Sequence, residues 1–292
     1  MKTGVCTTDF EKQPLVCADR LFGQIRELGF CCVQFAFSSV LETDFVPTGQ
    51  LELPGRIPPA VLGAVESASL RHGLPVEVMN ATFNMAHPDP EVRSEGLKRL
   101  AVHAEAAGIL GTPVLSLCSG TRNPDHLWTP HPDNGTEEAW AVMLDTMLRA
   151  AEIAERYGVT LAVESEASNV IDSPEKARRL LCAVKSDRLK MILDPANLFH
   201  RGEAHPENAR RTLDEAFAAF GGDIVAAHGK DIREGDGIEF CGTGRGIVDF
   251  PYMAAKLRES GYAGDMFLHG IYDPDDMPRA LAHWTAALAE AF

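Results

Sequence analysis

The sequence predicts an α/β protein that folds as one (β/α)8 TIM barrel over residues 1–292. Short apolar or β-branched runs alternate with longer stretches of helical periodicity, which is typical of repeated βα units and a parallel sheet. Eight such units can be counted. A doubly wound open sheet would carry a glycine-rich fingerprint after its first strand, and the sequence has none there. The predicted strands are Thr3–Cys6, Cys32–Ala36, Val76–Phe83, Val114–Cys118, Thr160–Glu164, Lys190–Asp194, Ile224–His228 and Met266–His269.

Glycines and capping residues indicate where the helices end and begin. A glycine supplies the left-handed residue that stops a helix, and a serine or aspartate before a proline is typical of a helix start. Ser173 and Asp249 are predicted to start helices in this way. The predicted helix-ending glycines are Gly29, Gly73, Gly158 and Gly261.

Two predicted loops are longer than the others, Ser38–Pro59 and Ser119–Glu137, and each follows a strand. Because the loops that follow the strands carry the active site of a TIM barrel, we expect both loops to wall a pocket.

Composition favours a small-molecule partner. The chain has 27 Lys+Arg against 42 Asp+Glu, a formal charge of -15, which repels nucleic acids and anionic membrane surfaces. Seven scattered cysteines form no disulfide framework and are interpreted as reduced thiols. Neither a secretory leader nor an apolar run of roughly 18 residues is evident, so we expect a cytoplasmic protein without a membrane span.

Ionisable residues end the last four predicted strands: Glu164, Asp194, His228 and His269 each follow an apolar run. Any one of them alone could be a hydrogen-bonded structural residue. Since the carboxyl ends of neighbouring barrel strands meet at one rim, however, the repeated position predicts that the four side chains converge. Two carboxylates and two imidazoles suit Mn²⁺ best among the candidates, with Zn²⁺, Co²⁺, Fe²⁺ or Mg²⁺ as alternatives.

Four motifs resemble the xylose isomerase-like TIM-barrel superfamily, which includes sugar isomerases and epimerases, inosose-processing enzymes and type IV endonucleases. The motifs are Leu-Ala-Val-Glu-Ser-Glu (161–166), Ile-Leu-Asp-Pro-Ala-Asn-Leu (192–198), His-Gly-Lys-Asp (228–231) and Gly-Thr-Gly-Arg-Gly-Ile-Val-Asp-Phe (242–250). The resemblance implies one divalent metal bound by Glu, Asp, His and Glu on the last four strands. The first three of these ligands correspond to Glu164, Asp194 and His228.

The fourth position departs from that pattern, because His269 stands where the family usually has Glu. Histidine can bind a metal, but it is a different base. In the family's ketose epimerases, the two glutamates are thought to act on opposite faces of the substrate carbon. The departure therefore argues against that two-base epimerisation, whereas one-base isomerisation and metal-assisted elimination stay compatible.

Three further residues near the strand ends are candidates for contacting substrate. Glu166 can reach a substrate hydroxyl, or it is a solvated loop carboxylate. Asn197 stands where epimerase relatives often carry a substrate-binding histidine. Lys230 can stabilise an enolate oxygen or a phosphate, or it forms a salt bridge with Asp231.

Two loops add candidate substrate ligands. Arg122, Trp128 and His131 follow the fourth strand and suit a polyol, with an aromatic ring for the apolar sugar face and polar groups for hydroxyls. The alternative is a structured surface loop. Arg245, in the glycine-rich segment, can bind an anion, although such segments are also common turns.

The leading hypothesis is a metal-dependent isomerase or epimerase of a sugar, sugar phosphate or related polyol, acting by proton transfer through a metal-stabilised enediolate. Glu164 would transfer the proton, and Lys230 or His269 would support the oxygen. The alternatives are a metal-dependent lyase or hydrolase on an oxidised sugar or cyclic polyol, and a non-catalytic sugar-binding or partner subunit. An endonuclease is disfavoured by the net charge. A homodimer is possible through the Ala- and Leu-rich outer helices.

Overall fold

The computed structural model describes residues 1–10, 17–42 and 53–291, and in it eight parallel strands close into a barrel. The barrel strands are β1 (Thr3–Cys6), β2 (Cys32–Phe35), β3 (Val76–Asn80), β4 (Val114–Cys118), β5 (Thr160–Glu164), β6 (Leu189–Leu193), β7 (Ile224–Ile232) and β9 (Asp265–Leu268). Each strand pairs with the next, and β9 closes the circle against β1 and β7. The predicted fold class is therefore confirmed.

Eight α-helices connect the strands and pack against one another in neighbouring pairs. They are α1 (Ala18–Glu27), α2 (Pro59–His72), α3 (Pro90–Leu110), α4 (Glu137–Tyr157), α5 (Pro174–Val184), α6 (Pro206–Phe220), α7 (Phe250–Glu259) and α8 (Met277–Ala291). The main apolar core joins strand and helix residues. A separate buried cluster takes one residue from each barrel strand and fills the barrel interior: Cys6, Cys32, Val78, Val114, Ala162, Ile192, Ala226 and Phe267.

The strand bounds agree best with prediction where an apolar run has clear ends. Strands β1, β4 and β5 match residue for residue, whereas β2, β6 and β9 shift by one residue at one or both ends. Strand β3 ends at Asn80 instead of Phe83, because the Asn80 side chain accepts the hydrogen bond from the backbone N–H of Thr82.

The largest difference lies at β7, which runs to Ile232 and pairs antiparallel with a short unpredicted strand, β8 (Phe240–Gly242). The extension is Gly229–Ile232. Its first three residues break the apolar pattern of the strand, and the hairpin with β8 holds it in place. The hairpin brings Phe240 to the same rim as the strand-end residues, so it contributes to the site described below.

The predicted helix boundaries are confirmed. Gly73 and Gly158 end α2 and α4 with φ values of 61° and 73°, the left-handed conformation that glycine adopts at least cost. The side chains of Ser173 and Asp249 accept backbone N–H groups at the starts of α5 and α7. Of the predicted loop Ser38–Pro59, residues 43–52 lie outside the described residues. None of the helices described is both long and apolar enough to cross a membrane.

Candidate metal centre

The strand-end residues come from neighbouring strands and reach the same rim of the barrel. Glu164 is the last residue of β5, Asp194 follows β6, His228 lies within β7 and His269 follows β9. These strands pair in the order β5, β6, β7 and β9. The closed parallel sheet therefore brings residues separated by more than 100 positions in sequence to one place.

Glu164, Asp194 and His228 form a compact group, here called the triad. One potential ligand atom from each lies within 4.8 Å of the other two. Nδ1 of His228 is 3.1 Å from Oδ2 of Asp194 and 3.6 Å from Oε1 of Glu164. Two carboxylate oxygens and one imidazole nitrogen are a donor set that divalent transition metals accept. The triad can therefore hold a divalent cation.

The electrostatics of the triad fit a cation site. Burial alone would lower the pKa of His228, but the charge of Glu164 and hydrogen bonds to Asp194 and Glu164 outweigh it and raise the pKa to about 9. Burial alone would raise the pKa of Asp194, but Lys230 and His228 hold it below the ordinary value. The negative charge of the carboxylates thus attracts a proton onto His228, and a metal ion would compete with that proton.

Gln34 fixes the orientation of His228 from across the barrel. Nε2–H of His228 donates to Oε1 of Gln34 at 3.0 Å, and both side chains are buried. Because Nε2 is occupied by this bond, Nδ1 is the nitrogen that faces the two carboxylates. Sequence reasoning missed Gln34, although a glutamine between the apolar residues Val33 and Phe35 of a buried strand was a detectable signal.

His269 lies beside the triad but outside the compact group. Its ring centroid is 5.3 Å from that of His228. Nδ1–H of His269 donates to Oδ1 of Asp9 at 3.0 Å. Among the described residues, the group of converging ligand atoms contains the other three residues and not His269. Its role as a fourth metal ligand stays a prediction.

A cavity of about 540 Å³ opens above the triad. Six residues predicted to bind metal or substrate line it: Trp128, Glu164, Glu166, Asn197, Lys230 and His269. Seven further lining residues were not predicted: Pro130, Ala167, Ser168, His200, Arg201, Ile238 and Phe240. Most of these unpredicted residues lie in loops after barrel strands or in the β7–β8 hairpin, the region where TIM barrels place their active sites.

Lys230 and Asn197 connect the triad to the cavity. Nζ of Lys230 donates to Oδ1 of Asn197 at 2.5 Å, and the Asn197 amide donates to Glu164. Nζ also lies 3.8 Å from Oδ2 of Asp194 and 3.7 Å from the ring centroid of Phe240. Burial alone would lower the pKa of Lys230, but Asp194 and its neighbouring carboxylates raise it. A buried ammonium ion therefore faces the cavity next to the triad.

The alternative prediction, that Lys230 forms a salt bridge with Asp231, is wrong. The Asp231 carboxylate instead accepts the backbone N–H groups of Ile232, Gly246 and Val248 at 2.8 to 3.0 Å. The glycine-rich segment therefore does hold an anion, but that anion is an internal side chain.

Glu166 is buried, with 9% of its surface exposed, and lines the cavity. Burial raises its pKa to about 8, and the nearby charge of Lys230 only partly opposes that rise. A carboxyl group with this pKa is largely protonated at neutral pH and can donate a hydrogen bond. Because Glu166 is buried, the alternative prediction of a solvated loop carboxylate is wrong.

Family membership follows from the comparison with protein-family models, since the model described as "Xylose isomerase-like TIM barrel" matches residues 22–288. The chain belongs to this xylose isomerase-like family.

Two relatives found by sequence comparison are named as an epimerase and a dehydratase. An L-ribulose-5-phosphate 3-epimerase from Salmonella paratyphi C is 25% identical over 259 residues, covering 87% of this chain and 82% of the relative. An inosose dehydratase from Geobacillus kaustophilus is 23% identical over 268 residues, covering 84% and 80%. The solved structure of the IolI protein with a bound zinc atom superposes with a TM-score of 0.72 at 16% identity, covering 100% and 99%. This last likeness establishes the fold.

Two predicted substrate ligands of this xylose isomerase-like barrel lie elsewhere and have other partners. The Arg122 guanidinium donates to the carbonyl oxygen of Ala86 and contacts Glu138 at 3.4 Å. Nδ1 of His131 accepts the backbone N–H of Asp133 and so caps the short 3-10 turn Pro132–Gly135. Neither side chain lines the cavity described above. Arg122 thus links the long loop to the connection after β3 and to α4, whereas His131 acts within the loop.

Arg245 of the xylose isomerase-like barrel also lies away from the cavity. Its Nε and Nη2 atoms pair with the carboxylate of Asp276 at 3.1 and 2.6 Å. The predicted anion ligand thus has an internal carboxylate as its partner, and we leave Arg245, with Arg122 and His131, out of the proposed site.

Proposed function

We propose that this protein is a metal-dependent enzyme that isomerises or epimerises a sugar, sugar phosphate or related polyol. The observation that carries this proposal is the position of Glu164, which belongs to the triad and also lines the cavity. One carboxylate can therefore lie next to both a bound cation and a substrate carbon. The name of the Salmonella relative, an epimerase of a sugar phosphate, supports the same class of reaction.

Glu164, Asp194 and His228 would hold the metal, with His269 as a candidate fourth ligand. When bound, a divalent metal supplies a Lewis acid that polarises a substrate carbonyl and makes the neighbouring C–H more acidic. Mn²⁺ is our first choice because the donor set is rich in oxygen, and the zinc atom in the IolI structure supports a divalent metal in this fold.

Glu164 is the proposed base that takes the proton from carbon. Its side chain is 19% exposed, so it is both reachable and largely desolvated. The amide of Asn197 donates to Oε1 of Glu164 and orients the carboxylate. Lys230, on the other side of Asn197, is the proposed donor to the substrate oxygen on which negative charge develops.

The substrate's remaining contacts come from the cavity wall. Glu166 would donate a hydrogen bond to a hydroxyl group, because burial keeps it largely protonated. The Trp128 ring lies at the cavity with 39% of its surface exposed, and would pack on the apolar face of a sugar ring.

Solvent deuterium incorporation tests this proposal. The protein, loaded with Mn²⁺ in D2O, is expected to exchange the C–H next to the carbonyl of at least one ketose or ketose phosphate, and Glu164→Gln is expected to abolish the exchange. Glu152→Gln, on the exposed surface of α4, is a matched control that should exchange normally. If the metal-loaded wild type exchanged no substrate across a panel of ketoses, inososes and their phosphates, the proposal would be contradicted.

A second candidate is elimination of water from an oxidised cyclic polyol. Two observations favour it: a histidine occupies the rim position after β9, and one relative is named an inosose dehydratase. The same base, Glu164, would start either reaction, so the products decide between them. Elimination gives a product that has lost one water, whereas isomerisation or epimerisation gives a product of unchanged mass.

A further inference from the structure

Asp9 and His269 form a partly buried pair at the edge of the triad. Nδ1–H of His269 donates to Oδ1 of Asp9 at 3.0 Å, and the Asp9 side chain is only 6% exposed. The other carboxylate oxygen, Oδ2, accepts the backbone N–H of Ile271 at 3.1 Å. Asp9 therefore binds both the ring of His269 and the backbone of the loop that carries it.

The two residues are set in place by adjacent strands. Asp9 ends the short 3-10 turn that follows β1, and His269 directly follows β9. These strands pair in parallel, with Val5 opposite Leu268. The imidazole ring is thus anchored at its own backbone and at Nδ1, which leaves little freedom for it to rotate.

The bond to Asp9 also decides which nitrogen of His269 is available. An ionised carboxylate only accepts hydrogen bonds, so Nδ1 of His269 carries the hydrogen of this bond. In the neutral imidazole, Nε2 is then the nitrogen with the lone pair. Ligating histidines in metalloproteins commonly show this arrangement, with the far nitrogen bonded to a carboxylate. The ring lies 5.3 Å from that of His228, which is within the surroundings of the triad.

We propose that Asp9 is a positioning residue for the metal centre: it orients His269 with Nε2 free to bind the cation, and it adds a third carboxylate charge beside the site. This inference rests on the proposed metal site. Loss of such an outer carboxylate commonly weakens metal binding about 10- to 100-fold.

Titration calorimetry with Zn²⁺ alone tests the role of Asp9. Asp9→Asn keeps the size of the side chain and is expected to bind Zn²⁺ about 10- to 100-fold more weakly than wild type. Asp19→Asn is the matched control, because Asp19 also pairs with a histidine, His72 at 2.9 Å, but at a surface position between α1 and α2. Its Zn²⁺ affinity should equal that of wild type.

The outcomes separate this inference from the proposed function. If wild type bound no Zn²⁺, both the metal site and the role of Asp9 would be contradicted. If wild type and Asp9→Asn bound Zn²⁺ equally, the metal site would stand and the role of Asp9 would be overturned. A lower melting temperature of metal-free Asp9→Asn with unchanged affinity would assign Asp9 a purely structural role, which also overturns the inference.

A second measurement does not depend on the folding of Asp9→Asn. In wild type labelled with ¹⁵N-histidine and loaded with Zn²⁺, long-range ¹H–¹⁵N spectra report the tautomer of each ring, and the spectrum of His269→Gln identifies the signal of His269. We expect the Nδ1–H tautomer with Nε2 bound to metal. The Nε2–H tautomer would overturn the inference.

Discussion

Oε1 of Gln34, on β2, accepts the Nε2–H of His228, on β7, at 3.0 Å across the barrel interior. The two residues are far apart in sequence, and both are buried. This bond leaves Nδ1 as the nitrogen of His228 that faces the carboxylates of the triad. The opposite wall of the barrel therefore takes part in building the metal centre.

Replacing Gln34 is expected to weaken metal binding. Gln34→Leu removes the acceptor and leaves a buried N–H without a partner, so we expect Zn²⁺ affinity to fall about 10- to 100-fold. Gln34→Glu keeps an acceptor at the same position and should retain most of the affinity. Titration calorimetry measures both. Equal affinities for Gln34→Leu and wild type would contradict the orienting role.

Replacing Lys230 is expected to separate turnover from metal binding. Lys230→Met removes a cation 3.8 Å from Oδ2 of Asp194, so metal affinity should stay the same or rise. The substrate oxygen loses its donor, and kcat should fall about 100-fold. Lys190→Met is the control, since Lys190 pairs with Asp223 away from the cavity. If metal affinity and kcat fell together, Lys230 would be a structural support of the triad instead.

The raised pKa of the buried Glu166 carboxyl group should make the stability of the metal-free protein depend on pH. Its pKa of about 8 in the fold exceeds the ordinary value of 4.5, so between these values the folded chain holds a proton that the unfolded chain has released. The free energy of unfolding must then fall as pH rises through this window. Glu166→Gln removes this contribution, and its advantage in melting temperature over wild type, measured in EDTA, should grow up to about pH 8.

The control for this measurement is Glu152→Gln, on the surface of α4, whose melting curve should stay parallel to that of wild type at every pH. If the difference in melting temperature between Glu166→Gln and wild type stayed constant from about pH 5 to about pH 9, Glu166 would not hold a proton in the fold.

Trp128 and Arg245 are both predicted from the sequence to bind substrate, but their replacement should have different effects on KM. Trp128→Ala removes a ring from the cavity wall and should raise KM about 3- to 10-fold. Arg245→Ala breaks an exposed pair with Asp276 and should change KM by less than about twofold. Steady-state kinetics on the substrate found by deuterium exchange measures both, and a reversed order would contradict the placement of the cavity.

The barrel and the triad could be predicted because both depend on strand periodicity. Apolar runs with sharp ends define β4 and β5, and a closed parallel sheet necessarily brings Glu164, Asp194 and His228 to one rim. The β7–β8 hairpin could not be predicted in this way, because its polar residues pair through contacts that no local period encodes.

The hydrogen-bond partners of side chains outside the strands could not be predicted from the sequence. Arg122 and His131 lie in the long loop after β4. The partner of Arg122 is the backbone of Ala86, in the connection after β3, and that of His131 is the backbone of Asp133. Asp9 lies three residues beyond the end of β1, after Thr7 and Thr8, so it does not directly end an apolar run as Glu164 does. Its partner His269 is set by the pairing of β1 with β9, which no local pattern encodes.

Glu164, Asp194 and His228 are proposed to bind one divalent metal. Metal content after removal of metal with EDTA and reloading with Mn²⁺ or Zn²⁺ tests it most directly, in wild type, Glu164→Gln, Asp194→Asn and the control Asp223→Asn, whose carboxylate pairs with Lys190. We predict one equivalent of metal in wild type and in the control, and its loss in both triad variants. Equal stoichiometry in all four proteins, or no metal in wild type, would contradict the assignment of the triad as the metal site.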